Sequence, residues 1–298
     1  LLPNLVQISS ETPSEGVLPR RVLITGGAGM LGSELIARAP AGVEVHATQR
    51  TRPVTGAEAH VVELSEHGPT AELLERIRPD LVIHTAYSQA AAMRDVWWAT
   101  QSLVHACAAV GCGLIHMSSD VVFDGEHAPY AESDEPAPVS QYGRFKLWAE
   151  NFVRAQMPDA AVVRTSLILR PYPADPIFTW MLNAQRCGEP VRLFVDELRC
   201  PIVVEDLAKQ IWEIAALPPA SRAGIWHLAG PEAFSRYSLG MLVGRWHGLE
   251  LDAIVPAFNR DAAEPRPRDL RLLTTRADRE LRTRPRTLSQ VYYVDEIS

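Results

Sequence analysis

The stretch "RRVLITGGAGMLGSELIARA" at residues 20–39 constrains what this chain can fold into more than any other. Its opening, "RRVLITG", is an aliphatic run ending in glycine and reads as a buried strand. "MLGSELIARA" then spaces its apolar residues as a helix does. Between the two, Gly26, Gly29 and Gly32 follow a G-x-x-G-x-x-G spacing. Glycines there permit a tight turn, close approach of a pyrophosphate to backbone N–H groups, and tight helix–sheet packing. The positive end of the following helix then faces the phosphates. At the first strand–helix junction of the chain, this pattern predicts a dinucleotide loop, with a plain glycine-rich turn as the bland alternative.

The rhythm continues downstream. "VEVHATQ" (43–49), "HVVEL" (60–64), "LVIHTA" (81–86), "GLIHMSS" (113–119) and "AAVVRTSLIL" (160–169) read as strands. Helical patterns cover 70–80, ended by Pro79, then about 90–110, and 140–156. Alternation of this kind implies βαβ units, hence a Rossmann-type α/β fold with a doubly wound parallel sheet. After residue 170 the proline-rich "RPYPADP" breaks the pattern. A helix at 203–217 and a strand at 224–230 then revisit the sheet. The expected organisation is a flexible tail over 1–19 and a dinucleotide-binding domain over 20–170, rejoined by 203–230. Residues 171–202 and 231–298 are expected to form a smaller substrate-binding lobe.

Composition narrows the function. The chain has 298 residues and a net charge of −7, with no dense basic block, which argues against a nucleic-acid binder. No apolar run approaches the roughly 18 residues of a membrane helix. The start lacks the basic flank and apolar core of a signal peptide, so a cytoplasmic location is expected. Four cysteines form no C-x-x-C pair, and nine histidines give no H-E-x-x-H motif, so no metal site is read from the spacing.

Cofactor choice should be decided after the second strand, where a carboxylate would bind a ribose 2′-hydroxyl and an arginine a 2′-phosphate. The chain reads "ATQRTRP" there, so Arg50 and Arg52 favour NADP(H) over NAD(H), unless both are solvated loop residues. Tyr142 and Lys146, in "SQYGRFKLWAE", lie four apart on a helix and share a face. A nearby ammonium would lower the tyrosine's pKa from about 10 and could also bind ribose hydroxyls. The alternative is a packed aromatic beside a snorkelling lysine. "HMSSD" decides between them: it ends a strand at the ligand-binding edge and offers Ser119 (or Ser118) to hold a substrate oxygen.

With those words together, the chain resembles the extended short-chain dehydrogenase/reductases, and more narrowly the dTDP-4-dehydrorhamnose reductase branch. "TGGAGMLG", "RPDLVIHTA", "HMSSDVVFDGEHAPYAESDEPAPVSQYGRFKLWAE", "VVRTSLIL" and "EPRPRDLRL" carry the likeness across residues 20 to 275. The resemblance implies Ser119, Tyr142 and Lys146 as a catalytic trio. It also implies cofactor contacts from Gly26, Gly29, Met30, Leu31, Gly32, Thr85 and Ala86, and a nucleotide-sugar pocket between two lobes. Asp120, Arg199 and Arg268 are the further substrate candidates, Arg268 being equally readable as part of a solvated loop. A homodimer is compatible with the resemblance.

The chain departs from the branch at three places. Val96 stands near the position of an asparagine that completes a catalytic tetrad. Val121 replaces an aromatic residue, and the stretch around "LILRPYP" lacks a common tryptophan. The leading expectation is an NADPH-dependent reductase of a keto group on a nucleotide-linked sugar, with Tyr142 as proton donor. The competing one is a non-catalytic NADP(H)-binding regulatory protein resembling the regulatory subunit of methionine adenosyltransferase. A nucleotide-sugar 4,6-dehydratase fits worse, because Asp120 is followed by Val121 where those enzymes need a second acid.

Overall fold

A computed structural model of the chain describes residues 17–88, 91–172 and 176–292; most of the expected tail, residues 1–16, lies outside these. Seven parallel strands make one sheet. In chain order they are β1 (Arg21–Thr25), β2 (Glu44–Gln49), β3 (Glu58–Val61), β4 (Leu81–His84), β5 (Gly113–Ser119), β6 (Ala161–Thr165) and β7 (Gly224–Leu228). Their order across the sheet is β7-β6-β5-β4-β1-β2-β3. The chain therefore builds outward from β1 on one side, then returns to β1's other side with β4. That reversal opens a crevice at the carboxyl ends of β1 and β4, where this architecture binds ligands.

Helices α1 (Met30–Ala37), α2 (His67–Ile77), α3 (Ala99–Val110), α4 (Gln141–Gln156) and α6 (Val204–Ala216) fall between successive sheet strands. Strand residues alternate between the two faces. Val22, Ile24, Ile83 and Ile115 join α1 and α6 in one core, while Leu23, Val82, Leu114 and Val162 join α2 and α3 in the other. Burial on both faces is why every residue of β4 and β6 is buried and why both strands open on consecutive apolar residues.

Four elements differ from the sequence expectation. The strand expected at 60–64 starts at Glu58 and ends at Val61, because Glu63 turns back to accept a hydrogen bond from Ser65 Oγ at 3.0 Å. The helix expected at 70–80 runs His67–Ile77. Pro79 disfavours helical backbone at Arg78, which instead takes φ 51°. The strand expected at 160–169 is broken. Ser166 leaves the sheet to bond Asp120, and Ile168–Leu169 pairs with Ile202–Val203 instead. The helix expected from about 90 also divides, with a π turn at Met93–Trp98 preceding α3.

Beyond β6 the chain builds a smaller layer. Strand Val191–Phe194 pairs with Ile254–Ala257, and Leu198–Arg199 pairs with Phe234–Ser235. Helices α5 (Pro176–Arg186) and α7 (Arg236–Trp246) pack on the first of these pairs. β7 rejoins the main sheet against β6. No helix of the described residues is long and apolar enough to cross a membrane.

Candidate active site

A cleft of about 480 Å³ lies along the carboxyl ends of the main sheet strands. At its floor, β1 turns sharply through Gly26 at φ 67°. A Cβ on Gly26 would stand 2.9 Å from Ala86 Cα, and one on Gly32 would stand 2.3 Å from the Gly26 carbonyl. Side chains at these two places would fill the cradle, so the glycines are required by close backbone approach. Thr85 and Ala86 donate their N–H groups to Thr25 Oγ1 at 3.0 and 3.1 Å, stitching β4 to β1 beneath the loop. Met30, Leu31, Thr85 and Ala86 all line the cleft, as do Gly29 and Gly32. These residues fit a dinucleotide.

Ser119, Tyr142 and Lys146 meet in the same cleft, although 27 residues separate Ser119 from Lys146 in sequence. α4 delivers the last two. Ser140 caps it by accepting from the Gly143 N–H at 3.1 Å. The helix is anchored by Glu150, which is fully buried, takes Arg164 at 2.8 Å and also accepts from Ser118 Oγ. Ser118 is thereby occupied, so the adjacent hydroxyl, Ser119, is the one at the cleft's surface. Ser119 Oγ donates to Asp120 Oδ1 at 3.1 Å.

Lys146 is buried and donates to the Met117 carbonyl at 2.9 Å. Its ammonium lies 5.0 Å from the centre of the Tyr87 ring and 6.0 Å from that of Tyr142. Burial draws the lysine's pKa down to about 8, against a raising influence of Glu150. The expected lowering of the Tyr142 pKa is not found. Burial pushes that phenol well above 10, and Tyr87 and Asp120 add to the rise. Tyr142 is therefore held protonated, the form a proton donor needs.

The arginines divide. Arg50 and Arg52 line the cleft below β2. Arg50, however, already holds Asp95 through both terminal nitrogens, at 3.1 and 3.3 Å, and Glu63 at 3.3 Å. Sequence reasoning missed both acids because neither follows β2 directly. Arg199 is buried in the cleft wall, 3.8 Å from Asp120 and 3.8 Å from Glu197. Asp120 is itself buried and accepts from Ser166 Oγ at 2.8 Å. Arg268 does not line the cleft; it pairs with Glu126 on the surface. Arg236, at the start of α7, does line it, and burial lowers its pKa. No linear motif marks Arg236, since it comes from the irregular C-terminal part. Trp97 packs between helices against Trp148 and Phe152, away from the cleft.

Val96 is buried against Phe145 and Ala149 of α4. The place implied for the tetrad asparagine thus presents an apolar side chain, packed under the helix that carries Tyr142.

The family model described as the RmlD substrate binding domain matches residues 20–291. The chain belongs to that family. It is an extended short-chain dehydrogenase/reductase of the dTDP-4-dehydrorhamnose reductase-like branch, as its motifs implied. A dTDP-4-dehydrorhamnose reductase of Mycobacterium tuberculosis is 30% identical over 262 residues, covering 83% of this chain and 82% of the relative. Methionine adenosyltransferase 2 subunit beta of Rattus norvegicus is 28% identical over 286 residues, covering 89% and 80%. Among solved structures, the dTDP-4-dehydrorhamnose reductase of Bacillus anthracis in complex with NADP superposes with a TM-score of 0.78. It is 20% identical, with 92% of this chain and 97% of that one covered, and it speaks to the fold. The branch therefore holds reductases and a protein named as a subunit of another enzyme.

Proposed function

We propose that the protein is an NADPH-dependent reductase of a keto group on a nucleotide-linked sugar. The observation that carries this reading is the convergence of Ser119, Tyr142 and Lys146 on one cleft with the Gly26–Gly32 loop. The loop and the start of α1 would hold the pyrophosphate, and Lys146 the ribose. A bound nicotinamide would supply a hydride. Ser119 orients the carbonyl oxygen of the substrate. Tyr142 keeps its proton on Oη until the oxygen of the reduced carbonyl needs it. Arg199 and Arg236 bring positive charge to the cleft from the C-terminal segments, where the substrate's diphosphate would lie. Segments 171–202 and 231–298 serve in this reading as the substrate lobe. Arg268 would join them only by leaving Glu126.

Arg50 is the candidate for the 2′-phosphate, which would compete with Asp95 and Glu63 for the guanidinium. Two carboxylates already on Arg50 make the preference modest. NADPH should bind on the order of tenfold more tightly than NADH, the worth of one charge-assisted contact. Arg50→Ala should remove that difference without weakening NADH. Fluorescence titration of both cofactors tests this, and equal affinities in the wild type would reject it.

The buried Val96, together with the likeness to methionine adenosyltransferase 2 subunit beta, favours a second reading: a regulatory NADP(H)-binding protein. NADPH oxidation with a panel of 4-keto nucleotide sugars separates the two. Turnover with any of them supports the reductase. Tight NADPH binding with no turnover supports the regulator.

A further inference from the structure

Four polar side chains gather at the outer edge of the sheet, away from the cleft. Strand register explains the gathering. His46 of β2 stands opposite Glu58 of β3, and His60 stands opposite Thr48, two residues along. The period of two puts Glu44, His46, Glu58 and His60 on one face. On that face His46 Nδ1 lies 3.0 Å from His60 Nε2. Glu58 places its carboxylate oxygens 3.6 Å from His46 Nδ1 and 3.8 Å from His60 Nε2. The donor atoms of His46, Glu58 and His60 all lie within 4.8 Å of one another.

The hydrogen bonding around His46 sets its tautomer. Glu44 Oε1 lies 2.9 Å from His46 Nε2, so a neutral ring carries its proton there and leaves the Nδ1 lone pair facing His60. A carboxylate behind a ligating imidazole is the usual outer support of a metal-bound histidine. Arg21 in turn holds Glu44 at 2.9 Å. Two ligands about 2.0–2.1 Å from one ion, at about 90–110° to each other, stand about 2.8–3.4 Å apart. The His46–His60 separation of 3.0 Å falls within that range; the rings must turn so that both lone pairs face the ion, and Glu58, at 3.6 and 3.8 Å, must close by a few tenths of an ångström.

We propose that His46, His60 and Glu58 form a binding site for one divalent transition-metal ion of the zinc class. Two imidazoles and a carboxylate suit a borderline ion such as Zn²⁺, with water completing the shell. Glu58 is largely exposed, which leaves the remaining positions open to solvent. Binding needs the His60 proton on Nδ1, so that Nε2 is free; the ring changes tautomer and no net charge moves. Burial chiefly, with His46 and then Arg76 of α2 adding to it against Glu58, lowers the His60 pKa, which keeps that ring neutral. The ion would pin β3 to β2. β3 has that need: three of its four residues, Val61 among them, are exposed, so little burial holds it.

The experiment titrates Zn²⁺ calorimetrically into full-length protein freed of metal by chelator and dialysis. The companion readout is the visible spectrum of Co²⁺ at the same site. One saturable equivalent is expected, with slower amide exchange in β3 and a raised melting temperature. His60→Ala should abolish that equivalent, and so should Glu58→Gln, whose exposed side chain is dispensable for folding. Glu44→Gln should weaken it by about 10–100-fold, as loss of an outer partner does. Absence of a one-equivalent site overturns the proposal. So does unchanged binding in His60→Ala, as would follow if the exposed Cys187 were the true ligand.

Discussion

Lys146 carries its charge on loan from a low pKa. Burial puts that value near 8, so the ammonium is present at neutral pH and is lost as pH rises through about 8. Tyr142 titrates far higher and adds no break below it. Any step that uses the ammonium should therefore fade on the alkaline side. The rate of NADPH oxidation at low substrate, followed from pH 6 to 10, should fall about tenfold per unit above a break near 8. A flat profile to pH 10 would show that Lys146 either keeps its proton or is not needed. At this scale the sequence brought forward Ser119, Tyr142 and Lys146, which the fold gathers in one cleft, but not their electrostatics. Spacing put Lys146 on the face of Tyr142, but only the fold shows that burial, with Tyr87 and Asp120 adding to it, raises the phenol's pKa. Arg50 teaches the same lesson, since its partner Asp95 lies 45 residues away in sequence.

α4 sets the position of Tyr142 and Lys146, and two side chains fix α4. Ser140 caps its start, and the buried Glu150–Arg164 pair ties its third turn to β6. Their energetic weights differ. Loss of a helix cap costs about 1 kcal/mol, whereas stripping one partner from a buried ion pair costs about 3–5 kcal/mol by leaving a bare charge. Urea denaturation should rank Arg164→Leu as much the more damaging and Ser140→Ala as mild. Equal effects would mean that Glu150 finds water or another partner. The helix itself was legible in the sequence, because its apolar period is long and its cap precedes it. The break in the expected strand at 160–169 was not. Ser166 leaves the sheet for Asp120 and the Cys200 N–H, contacts made at 46 and 34 residues' distance.

At the scale of the whole molecule, three strands of the main sheet bury imidazoles that stay neutral. His84, His116 and His227 are buried, and burial lowers the first to about 3, the third to about 4 and His116 well below its usual value. The unfolded chain binds protons at all three near 6.5, while the folded chain does not. Folded pKa values are depressed, so their stability contribution is full above 6.5 and is lost as pH falls toward 3–4. Each contributes a slope of up to about 1.4 kcal/mol per pH unit in that window. Denaturant midpoints should drop steeply between pH 6.5 and 5, and a constant midpoint would contradict the burial of these rings. The doubly wound sheet was legible because strand and helix periods alternate through residue 169. The C-terminal layer was not, because its strands are two to four residues long and pair across distant segments. The histidine pair on β2 and β3 likewise follows no linear spacing rule; register alone brings it together.

Replacing Tyr142 by phenylalanine tests the central claim most directly, since it removes one hydroxyl and leaves the ring's packing intact. With a 4-keto nucleotide sugar that the wild type reduces, the account predicts a loss of turnover of about 10²–10⁴-fold, the usual worth of a general acid. NADPH affinity should stay unchanged. A Tyr142→Phe protein that oxidises NADPH at the wild-type rate would contradict it.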